Sequence, residues 1–282
     1  MLLGYNTNGM AHHALEDAIR LLAEIGYRSV AITIDHGALA PGRPLAAQLR
    51  RVRHLLEQTG LRSVIETGAR YLLDPRRKHQ PTLVSADPAE RRRRITFYRH
   101  AIRCAAELRS DCVSLWSGAV CNAAVDRQTA MDRLVDELGP VLDAAAAAGV
   151  ALGFEPEPGM LIDTLAGFEE LRSRLAHPAL RLTLDIGHLH CQGEGPLPEQ
   201  IRRCSPHLVN VHLEDMCRAV HEHRMFGEGE IDFPPVLQAL ADSGYHGGVH
   251  VELSRHSHQA PAAARQAFEF LRPLLERVNV HA

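Results

Sequence analysis

The sequence has no excess of charge of either sign. Over 282 residues its formal net charge is −3, which gives no electrostatic reason to expect nucleic acid or an anionic membrane as a partner. It has no long hydrophobic run either. The longest, residues 144–154, is too short to cross a bilayer and contains a glycine turn. The N-terminus, MLLGYNTNGM, lacks a charged segment followed by an apolar stretch, so no secretory signal is expected. Six cysteines (Cys104, Cys112, Cys121, Cys191, Cys204, Cys217) form no CxxC pair, and a chain with 45% apolar residues buries a core without disulfide staples. Reduced thiols and a cytoplasmic location are the expectation. No glycine-rich phosphate fingerprint follows the first strand, where NTNG holds a single glycine; a doubly wound nucleotide-binding sheet is thereby disfavoured.

What is present is a regular alternation of β-rich and helix-periodic segments. Strands are predicted at residues 2–6, 29–35, 62–68, 112–118, 150–156, 180–186, 208–214 and 248–254. Between and after them, residues 12–25, 44–58, 89–108, 127–148, 164–176, 197–204, 233–242 and 260–277 carry helical spacing. Gly26 and Gly60 stop two of these helices, and Asp87-Pro88 opens another as N-cap and first-turn proline. The strands are short and nearly all apolar, as parallel strands buried on both faces must be. Eight units with nothing left over predict one α/β domain over residues 1–282, a single (β/α)8 TIM barrel.

Barrels of this kind build their active sites at the C-terminal ends of the strands. Glu155, Asp185, His212 and Glu252 end the fifth to eighth strands, each about one strand–helix unit from the next. Neighbouring strands bring such residues to one rim. A buried carboxylate without a partner is expensive, and a divalent cation removes that penalty for three at once. One imidazole and three carboxylates suit one divalent ion: Mn2+, Co2+, Mg2+ or a catalytic Zn2+.

Other rim residues carry two readings each. Trp116, the only tryptophan, ends the fourth strand and either walls the site or packs beneath its loop. Tyr5 and Asn6 end the first strand and face substrate, unless Asn6 caps the turn. Asp35 and His36 end the second, one facing substrate or both closing the turn. Glu157 lies one step beyond Glu155 and either binds a sugar hydroxyl or pairs with an arginine. RRKH at 76–79 is either an anion-binding loop or a solvated one. RRRR at 91–94 reads as a solvated helix face or a subunit contact.

The segments FEPEPG, LDIGH, VHLED, HEHRMFGEGEIDF and VHVEL together resemble the xylose isomerase-like barrel superfamily, and within it the D-tagatose 3-epimerase-like branch. The resemblance covers the whole chain; FGEGEIDF is its most specific part. It implies a metal-dependent isomerase or epimerase of carbohydrate metabolism, acting on a small sugar or polyol-derived ketone through an enediolate. It also implies that Glu155 and Glu252 are both metal ligands and the proton-moving pair, that His188 and Arg224 contact substrate, and that homo-oligomers occur. Inosose dehydratases share the superfamily, so a dehydratase or lyase of a cyclic polyol ketone is the alternative. Endonuclease IV also belongs to it, and HEH at 221–223 has the spacing of an extra ligand pair there. However, the third strand ends in Glu-Thr-Gly and the fourth in Trp-Ser-Gly, without the further histidine ligands of that three-zinc site. A non-catalytic binding protein on the same scaffold would need no acid–base pair.

Overall fold

Strands apolar on both faces need cover on both, and amphipathic helices supply the outer one. In a computed structural model, which describes residues 1–42, 45–122 and 124–279, the elements follow the predicted alternation. In chain order they are β1 (Leu2–Asn6), α1 (Leu15–Ile25), β2 (Ser29–Thr33), α2 (Leu45–Thr59), β3 (Arg62–Glu66), α3 (Pro88–Leu108), β4 (Cys112–Leu115), α4 (Arg127–Ala147), β5 (Ala151–Phe154), α5 (Leu165–Leu175), β6 (Leu180–Asp185), α6 (Ile186–Gln192) and α7 (Leu197–Cys204). β7 (Leu208–Leu213), β8 (Asp215–Cys217), β9 (Val220–Arg224), α8 (Phe233–Asp242), β10 (Gly248–Val251) and α9 (Ala260–Asn279) complete the chain. Residue 44, the predicted start of the second helix, and residues 280–282 lie outside the described residues.

The parallel strands close in the order β1-β10-β7-β6-β5-β4-β3-β2, the (β/α)8 barrel. β10 is the predicted eighth strand; a hairpin of β8 and β9 and the short helix α6, neither expected from the sequence, intervene. The main core lies between strands and helices, with Ile32, Ile65, Val113, Phe154, Leu184 and Val249 fully buried there. Ala31, Val64 and Cys112 form a separate small cluster.

Local chemistry sets the helix ends. Asp87, Asp126 and Thr164 cap α3, α4 and α5 by accepting from the backbone N–H of Ala89, Thr129 and Gly167. α1 stops at Gly26, where φ of 116° excludes most side chains. RRRR at 91–94 is not uniformly solvated. Arg92 and Arg93 are exposed, but Arg91 is paired with Glu137 and Arg94 is fully buried. Arg94 donates to the carbonyls of Pro81 (2.6 Å), His79 (2.6 Å) and Thr67 (3.3 Å), and lies against the Trp116 ring, 4.8 Å from its centroid. Helical periodicity puts it on the inner face of α3, beneath the long loop after β3, and carbonyl oxygens rather than a carboxylate satisfy it there.

The FGEGEIDF turn is wound around one carboxylate. Asp215 accepts from the backbone N–H of Gly227 (2.8 Å), Gly229 (2.9 Å) and Ile231 (3.1 Å). A Cβ at position 229 would overlap that carboxylate, which is the physical reason for the second glycine of the GEG turn.

Candidate metal and active site

Side chains alternate along a strand, so every second one enters the lumen. The uppermost inward residues open onto one cavity of about 490 Å³, lined among others by Asn6, Thr33, Glu66, Ser114, Glu155, His212 and Glu252. Glu155 and Glu252 stand one residue beyond β5 and β10. Asp185 ends β6, level with His212 on β7. The Nδ1 atom of His212 lies 2.9 Å from Glu252 Oε2, 3.0 Å from Glu155 Oε1 and 3.8 Å from Asp185 Oδ2. The four donor atoms are all within 4.8 Å of one another. Asp185 Oδ2 is buried and has no hydrogen-bond partner. Three carboxylates around one imidazole nitrogen, with a buried oxygen left unbonded, fit a divalent cation.

Charge is distributed unevenly within the set. Burial pushes Glu155 up to about 8, against the pull of His212. Glu252 is held well below the carboxylate range: burial opposes its charge, but His212, His223 and His188 outweigh it. Burial likewise disfavours charge on His212, but Glu155, Glu66 and Glu252 raise its pKa well above the ordinary value. In the metal-free protein one glutamate therefore tends to hold a proton while the other does not.

Several neighbours fix these groups. Asn8 donates from Nδ2 to Glu252 Oε1 at 2.7 Å. Glu66, at the end of β3, reaches across the lumen to within 2.9 Å of His212 Nε2. Asn210 donates to the same Glu66 oxygen at 3.0 Å, and its Oδ1 lies 2.8 Å from His250 Nδ1. Glu214 is fully buried with neither oxygen bonded and is pushed well up by burial and by Asp185. It occupies the space beside Gly187, where a Cβ would overlap it.

The expected substrate-facing residues divide. Trp116 lines the cavity with His79 edge-on to it, ring centroids 5.6 Å apart. Glu157 lines it too, near His188 and His221 rather than any arginine. His188 is 4% exposed and covered by His221, Nε2 to Nε2 at 3.1 Å, so it stands behind the cavity wall. Asn6 faces the cavity and also caps the following turn by accepting from Asn8 N–H.

Three expected substrate-facing residues lie outside the lining of this cavity. Tyr5 is fully buried, edge-on to Tyr27, because strand alternation turns it out of the lumen into the helix-facing core. His36 lines a smaller neighbouring cavity with Asp35, since the chain turns outward after Thr33. Arg224 is not among the residues lining the cavity; its guanidinium is held at 2.8 Å by Glu222, which does line it, and donates to the carbonyl of Glu228. Of RRKH, Lys78 and His79 line the cavity, while Arg77 is tied to Asp74 and Glu90.

Glu66, Asn8, Asn210, His250 and Glu214 were not expected at the site. Glu66 ends its strand much as the four candidate ligands end theirs, so the same positional signal marks it. Nothing local distinguishes Asn210 or His250 from ordinary strand residues, because their partners lie on strands far away in sequence.

Comparison with known proteins agrees with this architecture. L-ribulose-5-phosphate 3-epimerase UlaE of Salmonella paratyphi A is 27% identical over 252 residues, covering 88% of this chain and 84% of that protein. Among solved structures, L-ribulose 3-epimerase superposes with a TM-score of 0.81 at 20% identity, over 99% of this chain and 96% of the other. D-psicose 3-epimerase from Clostridium cellulolyticum H10 gives 0.76 at 18% identity, over 98% and 99%. The family profile described as xylose isomerase-like TIM barrel matches residues 19–274, and the chain belongs to that family.

Proposed function

We propose that the protein is a divalent-metal-dependent epimerase of a small ketose or ketose phosphate, acting at the carbon next to the carbonyl. The observation that carries this reading is the convergence of Glu155, Asp185, His212 and Glu252 on one point at the floor of an open, polar cavity. The 3-epimerase names of the relatives supply the reaction class.

An ion held by these four residues would act as a Lewis acid on the substrate carbonyl, lowering the barrier to loss of the neighbouring proton. Glu252 stands on one face of the site as the base that takes this proton. Glu155, on the opposite face, delivers a proton drawn from solvent. The two stand on β5 and β10, separated around the barrel by β6 and β7, so they flank a substrate seated over His212. Asn8 orients the base through Glu252 Oε1. Trp116 and His79 form an aromatic wall that excludes water from the carbanionic carbon. Arg70, Lys78 and Arg255 at the cavity mouth provide cations for a phosphorylated end.

The test is incubation of metal-loaded protein with ketopentoses, ketohexoses and their phosphates in D2O. The reading requires one deuterium at the epimerised carbon and an otherwise unchanged carbon skeleton and oxygen count. Loss of one water marks a dehydratase instead. No exchange across the panel marks a binding protein.

A further inference from the structure

The lumen beneath the metal ligands carries a file of polar side chains where a barrel ordinarily packs branched aliphatic ones. It begins at Ser29 on β2, whose Oγ lies 2.8 Å from His250 Nε2. His250 on β10 passes to Asn210 on β7, Nδ1 to Oδ1, at 2.8 Å. Asn210 Nδ2 donates to Glu66 Oε1 on β3 at 3.0 Å, and Glu66 Oε1 lies 2.9 Å from His212 Nε2. All five residues are at most 6% exposed.

Room has been made for this file. A Cβ at Gly4 or at Gly248 would overlap the His250 ring, so two strands carry glycine where the imidazole lies. Buried polar groups are unfavourable unless every partner is met, and here each link has one. An aliphatic layer would fill the same lumen at lower desolvation cost. The distinctive product of the file is a single carboxylate oxygen held at a fixed place behind His212.

We infer that Glu66 is a positioning residue for the metal centre: it takes the Nε2–H of His212 and so leaves the Nδ1 lone pair for the ion. This deepens the proposed function and rests on its metal assignment. The direction of the file follows from its acceptor end. A carboxylate oxygen only accepts, so Asn210 must turn its NH2 to Glu66 and its Oδ1 to His250. His250 then donates from Nδ1, and its Nε2 accepts the Ser29 hydroxyl. His212 Nε2 lies 3.1 Å from Asn210 Nδ2 but nearer, at 2.9 Å, to Glu66 Oε1; a bare nitrogen lone pair would be repelled by the carboxylate oxygen there, so Nε2 carries its hydrogen and donates to Glu66. An imidazole that donates from Nε2 coordinates through Nδ1, the atom already turned toward Glu155, Asp185 and Glu252. The negative charge of Glu66 also strengthens His212 as a donor to the ion.

The test is the affinity of the purified, metal-stripped chain for Mn2+, measured by chelator competition in wild type, Glu66→Gln and Asn210→Leu. Glu66→Gln keeps the size and one acceptor oxygen but removes the charge. It should weaken Mn2+ binding about ten- to a hundredfold, with a smaller loss in Asn210→Leu, where Glu66 keeps its charge and loses its anchor. The melting temperature of each metal-free variant is read in parallel. A packing role alone would lower that temperature and leave the affinity of the folded fraction unchanged, and this result overturns the inference. If Glu66→Gln does not fold, Asn210→Leu alone decides: wild-type affinity there overturns the inference, and a loss supports it. Wild-type protein that takes up no divalent ion overturns the metal reading itself, and the inference with it. One ion bound equally well by all three chains overturns only the inference.

Discussion

Replacing Arg94 by methionine tests whether one buried cation holds the wall of the site. The guanidinium donates to the carbonyls of Thr67, His79 and Pro81 and has no carboxylate partner among the described residues. Methionine fills similar apolar volume but leaves three buried acceptors unmet. Each unmet acceptor is worth about 1–3 kcal/mol; with partial relaxation, the expected loss is about 3–6 kcal/mol. For a domain of this size, 1 kcal/mol moves the melting temperature by about 2 °C, so scanning calorimetry should read a fall of about 6–12 °C. Arg94→Lys restores one or two of the donors and should fall about half as far. A local readout exists because Trp116 is the sole tryptophan and packs on Arg94. Its emission should shift to the red in Arg94→Met as the loop loosens and water reaches the ring. A fall of less than about 2 °C with unchanged emission would refute the argument, because the three carbonyls would then find other donors at little cost.

Three further outcomes follow from the same geometry. In the metal-free protein Glu155 titrates near 8 and His212 well above its ordinary value, so protons compete with the ion below that pH. Metal affinity should rise with pH and gain roughly fifty-fold or more between pH 6 and pH 8; a flat profile by chelator competition contradicts the assignment. Asp215→Ala removes the acceptor of three backbone N–H groups in the FGEG turn and should destabilise the fold by about 3–5 kcal/mol in urea unfolding. Trp116→Ala opens the cavity wall and should reduce turnover more than it weakens metal binding, because the ring packs against His79 and Arg94; equal losses in both would place Trp116 in the metal site instead.

The barrel was readable in the sequence because its determinants are local. Period-3.6 patterns, glycine stops and the Asp87-Pro88 cap give helix positions within a few residues, as at α3, predicted at 89–108 and found at Pro88–Leu108. Five of the eight predicted strands run two or three residues too far at their C-terminal ends, while β1 ends as predicted and β6 and β7 end one residue earlier. Beyond Thr33, Glu66 and Leu115 the chain keeps β-forming residues after the ladder has stopped. The four converging residues share one recognisable trait, a chemically active side chain at the end of an apolar strand. The side-chain directions were less legible. Tyr5 lies next to Asn6, which lines the cavity, yet alternation along β1 turns it into the core; on the hairpin of β8 and β9, Arg224 follows the lining residues Glu222 and His223 but pairs with Glu222 instead of lining the cavity itself. That hairpin also carries His221 over His188, a contact between segments with no sequence pattern to announce it. The file from Ser29 to Glu66 was hidden for the same reason, since each of its links joins residues of different strands.

The most direct measurement is an anomalous difference map from crystals grown with Mn2+. The account requires one strong peak per chain, within bonding distance of Glu155, Asp185, Glu252 and Nδ1 of His212. A map with no peak among these residues, or with the manganese held elsewhere while the four side chains stay as they are, would contradict it.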